Sequence, residues 1–187
     1  MPTSNTDESP RARLWTWANA LTLLRLAIAP VLVFAILREQ AGLALVLFGS
    51  ACVSDFADGG LARRLNQTSS LGGLLDHATD ATLVVSGLAA LATRGLAPLL
   101  LPLLVGLAFL QYVLDSRAAS GRPLRPNPVG RWNGIAYYVF LGTPLVRDAA
   151  GLRWPWDTLV LAAGWFLVAT TLYSMSQRLR TSGAGAA

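Results

Sequence analysis

Residues 41–92 read AGLALVLFGSACVSDFADGGLARRLNQTSSLGGLLDHATDATLVVSGLAALA. Two apolar stretches, Ala41–Ala62 and Leu71–Ala92, flank a polar turn near Asn66–Ser70. Each is long enough to cross roughly 30 Å of hydrocarbon as a helix. Together they also hold Asp55, Asp58, Asp76 and Asp80. A carboxylate at membrane depth costs about 2.5–3.5 kcal/mol on insertion scales, so four of them need a compensating reason. Their spacing supplies one. Asp55 and Asp58 are three apart and Asp76 and Asp80 four apart, so each pair shares a helix face. Two helices joined by a short turn can aim all four at one point. Four hard oxygen ligands around one cavity suit Mg²⁺ or Mn²⁺, and the cation offsets their mutual repulsion.

Small residues follow the same stripes. Gly59 lies four after Asp55, Ala62 four after Asp58, and Gly72 four before Asp76. Short side chains there let a bulky ligand approach beside the carboxylates. Arg63 comes next, at the helix end, where a guanidinium can pair with a phosphate. The pattern describes a metal-phosphate site.

The rest of the chain extends the membrane reading. Of 187 residues, 53% are hydrophobic and 13% charged, against about 25% charged in a soluble domain. Further apolar stretches lie at Asn19–Leu37, Leu96–Leu114, Val129–Ala149 and Asp157–Gln177. The expected fold is all-α, a bundle of six transmembrane helices. A catalytic membrane domain over 19–178 stands between an N-terminal segment, 1–18, and a disordered tail, 179–187. If the N-terminus is cytoplasmic, Arg11, Arg13, Arg63, Arg64, Arg117, Arg122, Arg125, Arg131, Arg178 and Arg180 lie inside. Only Arg38, Arg94, Arg147 and Arg153 lie outside, so the positive-inside bias puts both termini in the cytoplasm. The single cysteine, Cys52, permits no internal disulfide and reads as a small buried residue. The basic excess is all arginine, and no basic run interleaved with aromatics tracks a nucleic-acid backbone. Trp15, Trp17, Trp132, Trp154 and Trp156 read as anchors at the membrane interface.

At the level of motif the resemblance is specific. Asp55-x-x-Asp58-Gly59-x-x-Ala62-Arg63, eight residues, then Gly72-x-x-x-Asp76-x-x-x-Asp80 matches the signature of the CDP-alcohol phosphatidyltransferase family at every fixed position. The six-span layout and Asn19-x-x-Thr22-x-x-Arg25, opening the first span, also resemble that family. The resemblance implies a phospholipid-synthesising enzyme of a bacterial cytoplasmic membrane, its active site facing the cytoplasm. A phosphatidyl group would pass from a CDP-lipid to a small alcohol, and CMP would leave. It implies that Asp55, Asp58, Asp76 and Asp80 bind two divalent ions, with Asp80 also the general base for the acceptor hydroxyl. Gly59, Ala62, Arg63 and Gly72 would line the cytidine and diphosphate site, with Asn19 and Thr22 nearby. Homodimerisation is implied by the resemblance alone.

The acceptor is less determined. Arg117, Arg122, Arg125 and Arg131 can receive an anionic acceptor, with glycerol 3-phosphate as first choice. They can equally serve topology and lipid headgroups, and inositol, inositol phosphate or serine remain alternatives. Many relatives carry Gly-Lys-x-x-Thr-x-x-Gln where this chain has Gly130-Arg131-Trp132-Asn133-Gly134-Ile135-Ala136-Tyr137. Gly134 and Tyr137 thus replace the Thr and Gln, which weakens any transfer of acceptor identity. An ion channel or transporter is the reading from another class, since intramembrane carboxylates mark those too. It leaves Gly59, Ala62, Arg63 and Gly72 unexplained. His77, about 100° around the helix from Asp76, points off the carboxylate stripe and reads as a packing residue. Arg25 could reach a phosphate or snorkel to the interface.

Overall fold

The computed structural model describes residues 17–64, 70–116 and 128–184, with side chains described over 23–56, 75–114 and 128–180. The described residues form six helices and no strand: α1 (Trp17–Leu37), α2 (Ala41–Arg64), α3 (Ser70–Thr93), α4 (Leu100–Ser116), α5 (Pro128–Ala149) and α6 (Asp157–Ala184). These are the six apolar stretches, most ends within two residues of expectation and two differing by more. The first is α4, which starts at Leu100 where the apolar pattern begins at Leu96. Gly95 takes φ 74° and closes α3, with Leu96 N–H donating to Leu91 O at 3.0 Å. Leu96 then folds back into the core beside Leu91, and Pro98 follows. The second is α6, which runs on to Ala184, so residues 179–184 are helical where a disordered tail was expected. Gln177, Arg178, Leu179 and Arg180 are good helix formers, and no proline interrupts them.

The helices close into a ring. Contacts run α1 to α2, α2 to α5, α5 to α6, α6 to α4, α4 to α3 and α3 back to α1, with α3 also touching α5 across the middle. The core along this ring is aliphatic: Leu32, Leu83, Leu88, Leu101 and Leu141 are fully buried. Large apolar side chains such as Phe34, Val46, Val53, Leu103, Val139 and Phe166 face outward instead. Burial of the inner faces supplies the packing energy, while the outer faces give water nothing to bond. Among the described residues, one helix, Asp157–Arg180, is by length and composition long and apolar enough to cross a membrane; shorter apolar segments are Leu23–Leu37, Ala41–Phe56 and Leu100–Leu114.

One end of the ring is clamped. The connections α1–α2, α3–α4 and α5–α6 all turn with the same six-residue closure: Gln40 N–H to Ala35 O, Leu96 N–H to Leu91 O, and Leu152 N–H to Arg147 O, at 2.9, 3.0 and 2.9 Å. Gly151 and Glu39 supply left-handed residues in the other two turns. Ion pairs then tie the turns together. Arg94 lies 3.7 Å from Glu39 and 3.5 Å from Asp148, while Arg147 lies 2.8 Å from Asp148 and 2.6 Å from Asp157. Arg147 also donates to the Pro155 carbonyl at 2.9 Å.

Close packing fixes the ring at Gly164. A Cβ there would stand 2.5 Å from Pro98 Cδ and 3.2 Å from Phe140 Cζ, and the proline ring cannot rotate away. Gly164→Ala should therefore lower stability by about 1–3 kcal/mol, read as a lower thermal midpoint in detergent. Gly106→Ala, whose Cβ would meet only Val85 Cγ2 at 3.9 Å, should leave the midpoint unchanged or raise it. Equal midpoints for the two variants would show that the turn at Pro98 yields freely.

Candidate active site

Four side chains from three helices meet at one point. On α3, Asp76 and Asp80 are one turn apart and present their carboxylates on one face. On α2, Asp55 faces them, and ligand oxygens from the three carboxylates lie within 4.8 Å of one another. Like charges this close repel, and α1 supplies the counter-charge. Arg25 is fully buried. Its Nη1 donates to Asp76 Oδ1 at 2.8 Å and Asp80 Oδ1 at 2.5 Å, and lies 3.3 Å from Asp55 Oδ1. The carboxylates are only partly covered, with side-chain exposures of 43% for Asp55, 38% for Asp76 and 19% for Asp80. The guanidinium closes the inner side of the cluster and leaves the carboxylates a second, accessible side.

This arrangement fits a divalent cation. Hard oxygens bound at about 2.1 Å around one Mg²⁺ stand roughly 3–4 Å apart, and the carboxylate oxygens here, within 4.8 Å of one another, need only a small shift to reach that. Three carboxylates against one guanidinium leave net negative charge for a cation to neutralise. Asp58 belongs to α2, but its side chain lies outside the described residues, as do those of Asn19, Thr22, Gly59, Ala62, Arg63 and Gly72. Arg117, Arg122 and Arg125 lie outside the described residues altogether.

Beside the carboxylates, α3, α4, α5 and α6 border a half-open cavity of about 480 Å³ whose lining includes Asp55 and Asp80. Its walls are largely apolar, with Val84, Val105, Phe109, Ile135 and Met175 among them. Arg131, exposed on the first turn of α5, and Arg178 on α6 also border it. His77 lines the cavity too, packed edge-on against Tyr112 with ring centres 6.0 Å apart, and Arg178 covers the Tyr112 ring at 4.9 Å. That places His77 in packing contact off the carboxylate stripe, as its helix angle predicts.

Two features were not resolved by sequence. Arg25 neither snorkels nor stands alone; it is the counter-ion of the cluster. The signal for that was present, because a cation inside an apolar span needs a partner and the neighbouring spans hold the acids. The second is the polar lining of the cavity, Gln111, Asn133, Tyr137, Tyr138, Thr171 and Ser174. They come from α4, α5 and α6, and only the packing of those three helices brings them to one space.

Removing the buried cation should unsettle the cluster in a metal-dependent way. Arg25→Leu should cost about 3–5 kcal/mol in the metal-free protein, the penalty of breaking a buried pair from one side. Added Mg²⁺ or Mn²⁺ should then raise the variant's thermal midpoint more than the wild type's. A variant as stable as the wild type in chelator would show that Arg25 does not hold the carboxylates together.

Comparison with known proteins places this geometry. The family model for CDP-alcohol phosphatidyltransferase matches residues 15–173. A Streptomyces coelicolor protein named "Cardiolipin synthase (CMP-forming)" is 36% identical over 171 residues, covering 86% of this chain and 79% of its own. A Mycobacterium tuberculosis protein named "Putative cardiolipin synthase" is 34% identical over 170 residues, covering 87% and 78%. A second Mycobacterium tuberculosis protein, "Probable phosphatidylglycerophosphate synthase", is 37% identical over 94 residues, covering 47% and 45%. The matched stretch includes the three carboxylates that converge on Arg25, and this chain belongs to the CDP-alcohol phosphatidyltransferases.

Proposed function

We propose that this enzyme joins a phosphatidyl group from CDP-diacylglycerol to phosphatidylglycerol, forming cardiolipin and releasing CMP at the cytoplasmic face of a bacterial membrane. The observation that carries the reading is the apolar-walled cavity of about 480 Å³ whose lining includes Asp55 and Asp80. Its size and lining suit an acceptor that arrives with hydrocarbon attached, and the relatives that match most of the chain are named for cardiolipin synthesis. Glycerol 3-phosphate is the second reading, favoured by Arg131 on the cavity and by the relative named for phosphatidylglycerophosphate synthesis.

The chemistry is an in-line displacement at phosphorus. The primary hydroxyl oxygen of the acceptor forms a new P–O bond to the phosphatidyl phosphorus, and the diphosphate P–O bond to CMP breaks. Asp80, on the cavity and hydrogen-bonded by Arg25, receives the hydroxyl proton or orients it for loss. Asp55, Asp58, Asp76 and Asp80 hold two divalent ions, Mg²⁺ or Mn²⁺, which when bound neutralise the diphosphate and the charge growing on the leaving oxygen. Arg63 pairs with the donor diphosphate, and Gly59, Ala62 and Gly72 leave room for cytidine beside Asn19 and Thr22. Arg131, with Arg117, Arg122 and Arg125, receives the phosphate that both candidate acceptors carry.

The six helices are read as six membrane spans with both ends in the cytoplasm. At 24 residues, Asp157–Arg180 reaches about 36 Å, enough to cross. The exposed Trp132, near the start of α5, and Trp154, in the α5–α6 connection, lie toward opposite ends of the bundle, where two interfacial belts would lie. Arg94 and Arg147 are paired with acids at the outer end, which sharpens the positive bias of the inner one.

Purified enzyme given labelled CDP-diacylglycerol should release CMP and form cardiolipin with phosphatidylglycerol, and do neither in chelator until Mg²⁺ or Mn²⁺ returns. Product with glycerol 3-phosphate and none with phosphatidylglycerol selects the second reading. Turnover in metal-free buffer would sink the metal-assisted displacement. For topology, Cys52 is replaced and single cysteines are introduced at Arg153 and Arg180, both exposed. They should label from opposite sides of the membrane; labelling from one side would show that α6 does not cross.

A further inference from the structure

Arg25 engages the carboxylates in a way that bears on which ion they can take. Its contacts run through one oxygen of each group. Nη1 donates to Oδ1 of Asp76 at 2.8 Å and to Oδ1 of Asp80 at 2.5 Å, and stands 3.3 Å from Oδ1 of Asp55. Three carboxylates on two helices thus turn one oxygen each toward a single nitrogen from a third helix.

The guanidinium is held where it is. Arg25 has no exposed surface, and Ile28, Ala29 and Leu32, on the following turns of α1, are buried with it. α1 packs on both α2 and α3, the helices that carry the acids. Moving the side chain off the carboxylates would strand a positive charge inside an apolar span, where charges persist only when paired. An arriving cation therefore meets carboxylates that each have one oxygen engaged. Binding through the other oxygen keeps the ion away from Arg25. Chelation by both oxygens would put it on the oxygen that meets Nη1, with two positive charges no more than about 5 Å apart.

Divalent ions differ in what this costs them. The two oxygens of one carboxylate stand about 2.2 Å apart, too close for neighbouring corners of a Mg²⁺ octahedron with edges of about 3 Å. Mg²⁺ therefore takes single oxygens and fills its remaining positions with water, and Mn²⁺ suits the same octahedral oxygen sites. Ca²⁺ is larger, gathers about six to eight oxygens, and reaches that number by chelating carboxylates. We propose that Arg25 sets the metal selectivity of the site: by engaging one oxygen each of Asp55, Asp76 and Asp80, it limits them to single-oxygen binding and so favours Mg²⁺ or Mn²⁺ over Ca²⁺. This rests on the reading of the cluster as the metal site.

The test titrates metal-stripped, full-length protein in detergent with Mg²⁺, Mn²⁺ and Ca²⁺, reading affinity by calorimetry and the thermal midpoint. Wild type should bind Mg²⁺ and Mn²⁺ more tightly than Ca²⁺. Arg25→Leu should shift the ratio of affinities toward Ca²⁺ by about 10–100-fold. Arg25→Gln should shift it the same way, and carries the test if Arg25→Leu does not fold. A guanidinium acting by charge alone would repel all three ions alike, so a variant that binds each more tightly by one common factor overturns the proposal. So does a wild type that takes Ca²⁺ as tightly as Mg²⁺, whether or not either variant folds. Failure of all three ions to bind removes the metal reading itself, and the proposal with it.

Discussion

A single guanidinium nitrogen touching three carboxylates is the constraint on which the site depends. Asp55 comes from α2, Asp76 and Asp80 from α3, and Arg25 from α1. Without a cation the two acidic helices repel at the point where the site requires them closest. Arg25 lets them approach before any metal or substrate arrives, and its complete burial fixes α1 against both. Buried ion pairs contribute little net stability compared with apolar packing, but removing one partner is costly. The pair's value is therefore geometric: it sets the spacing of the ligand oxygens. Along the same helices, Ile28 and Leu32 on α1 and Leu83 on α3 provide burial energy that offsets desolvation of the charges.

The far end of the ring complements this. Three short turns of the same closure, linked through Arg94, Asp148, Arg147 and Asp157, hold the helix ends where no catalytic group stands. Stiffness there means that α3, α4, α5 and α6 diverge from a fixed base. The space between them near the carboxylates is then a defined cavity. The packing of Gly87 on Leu141 and Gly142 on Phe48 serves the same end, because both glycines bring helix backbones close to a large side chain.

How much of this the sequence discloses depends on whether a feature is local. The helices are legible because apolar length is a property of one segment, and Asp76 with Asp80 is legible because helical spacing puts them on one face. The start of α4 is not, since Leu96 is apolar for a reason that periodicity cannot separate from span: it folds back as the hydrophobic partner of a helix-closing turn. Arg25 was visible as an oddity but not as a partner, because its three bonds cross 30, 51 and 55 residues of chain. The cavity's polar lining is least legible. Gln111, Asn133 and Thr171 come from three helices, and nothing within any one of them shows that they share a space.

That lining also explains where the chain departs from its family's pattern. The Thr and Gln of Gly-Lys-x-x-Thr-x-x-Gln correspond here to Gly134 and Tyr137, and both line the cavity beside the carboxylates. Gly134 withdraws a side chain from the wall; Tyr137 adds a ring whose hydroxyl is already committed to Thr171. The exchange removes two small polar contacts and leaves a wall that is wider at one position and apolar at the other. A small, fully hydrated acceptor is held by many polar contacts, whereas a lipid acceptor is held by its chains and needs only its reacting end to be oriented. With Gly134 and Tyr137 in place of Thr and Gln, the wall suits the second kind, as the proposed acceptor requires. The departure from the pattern is then a change in the cavity wall, with the clustered carboxylates of Asp55, Asp76 and Asp80 left in place.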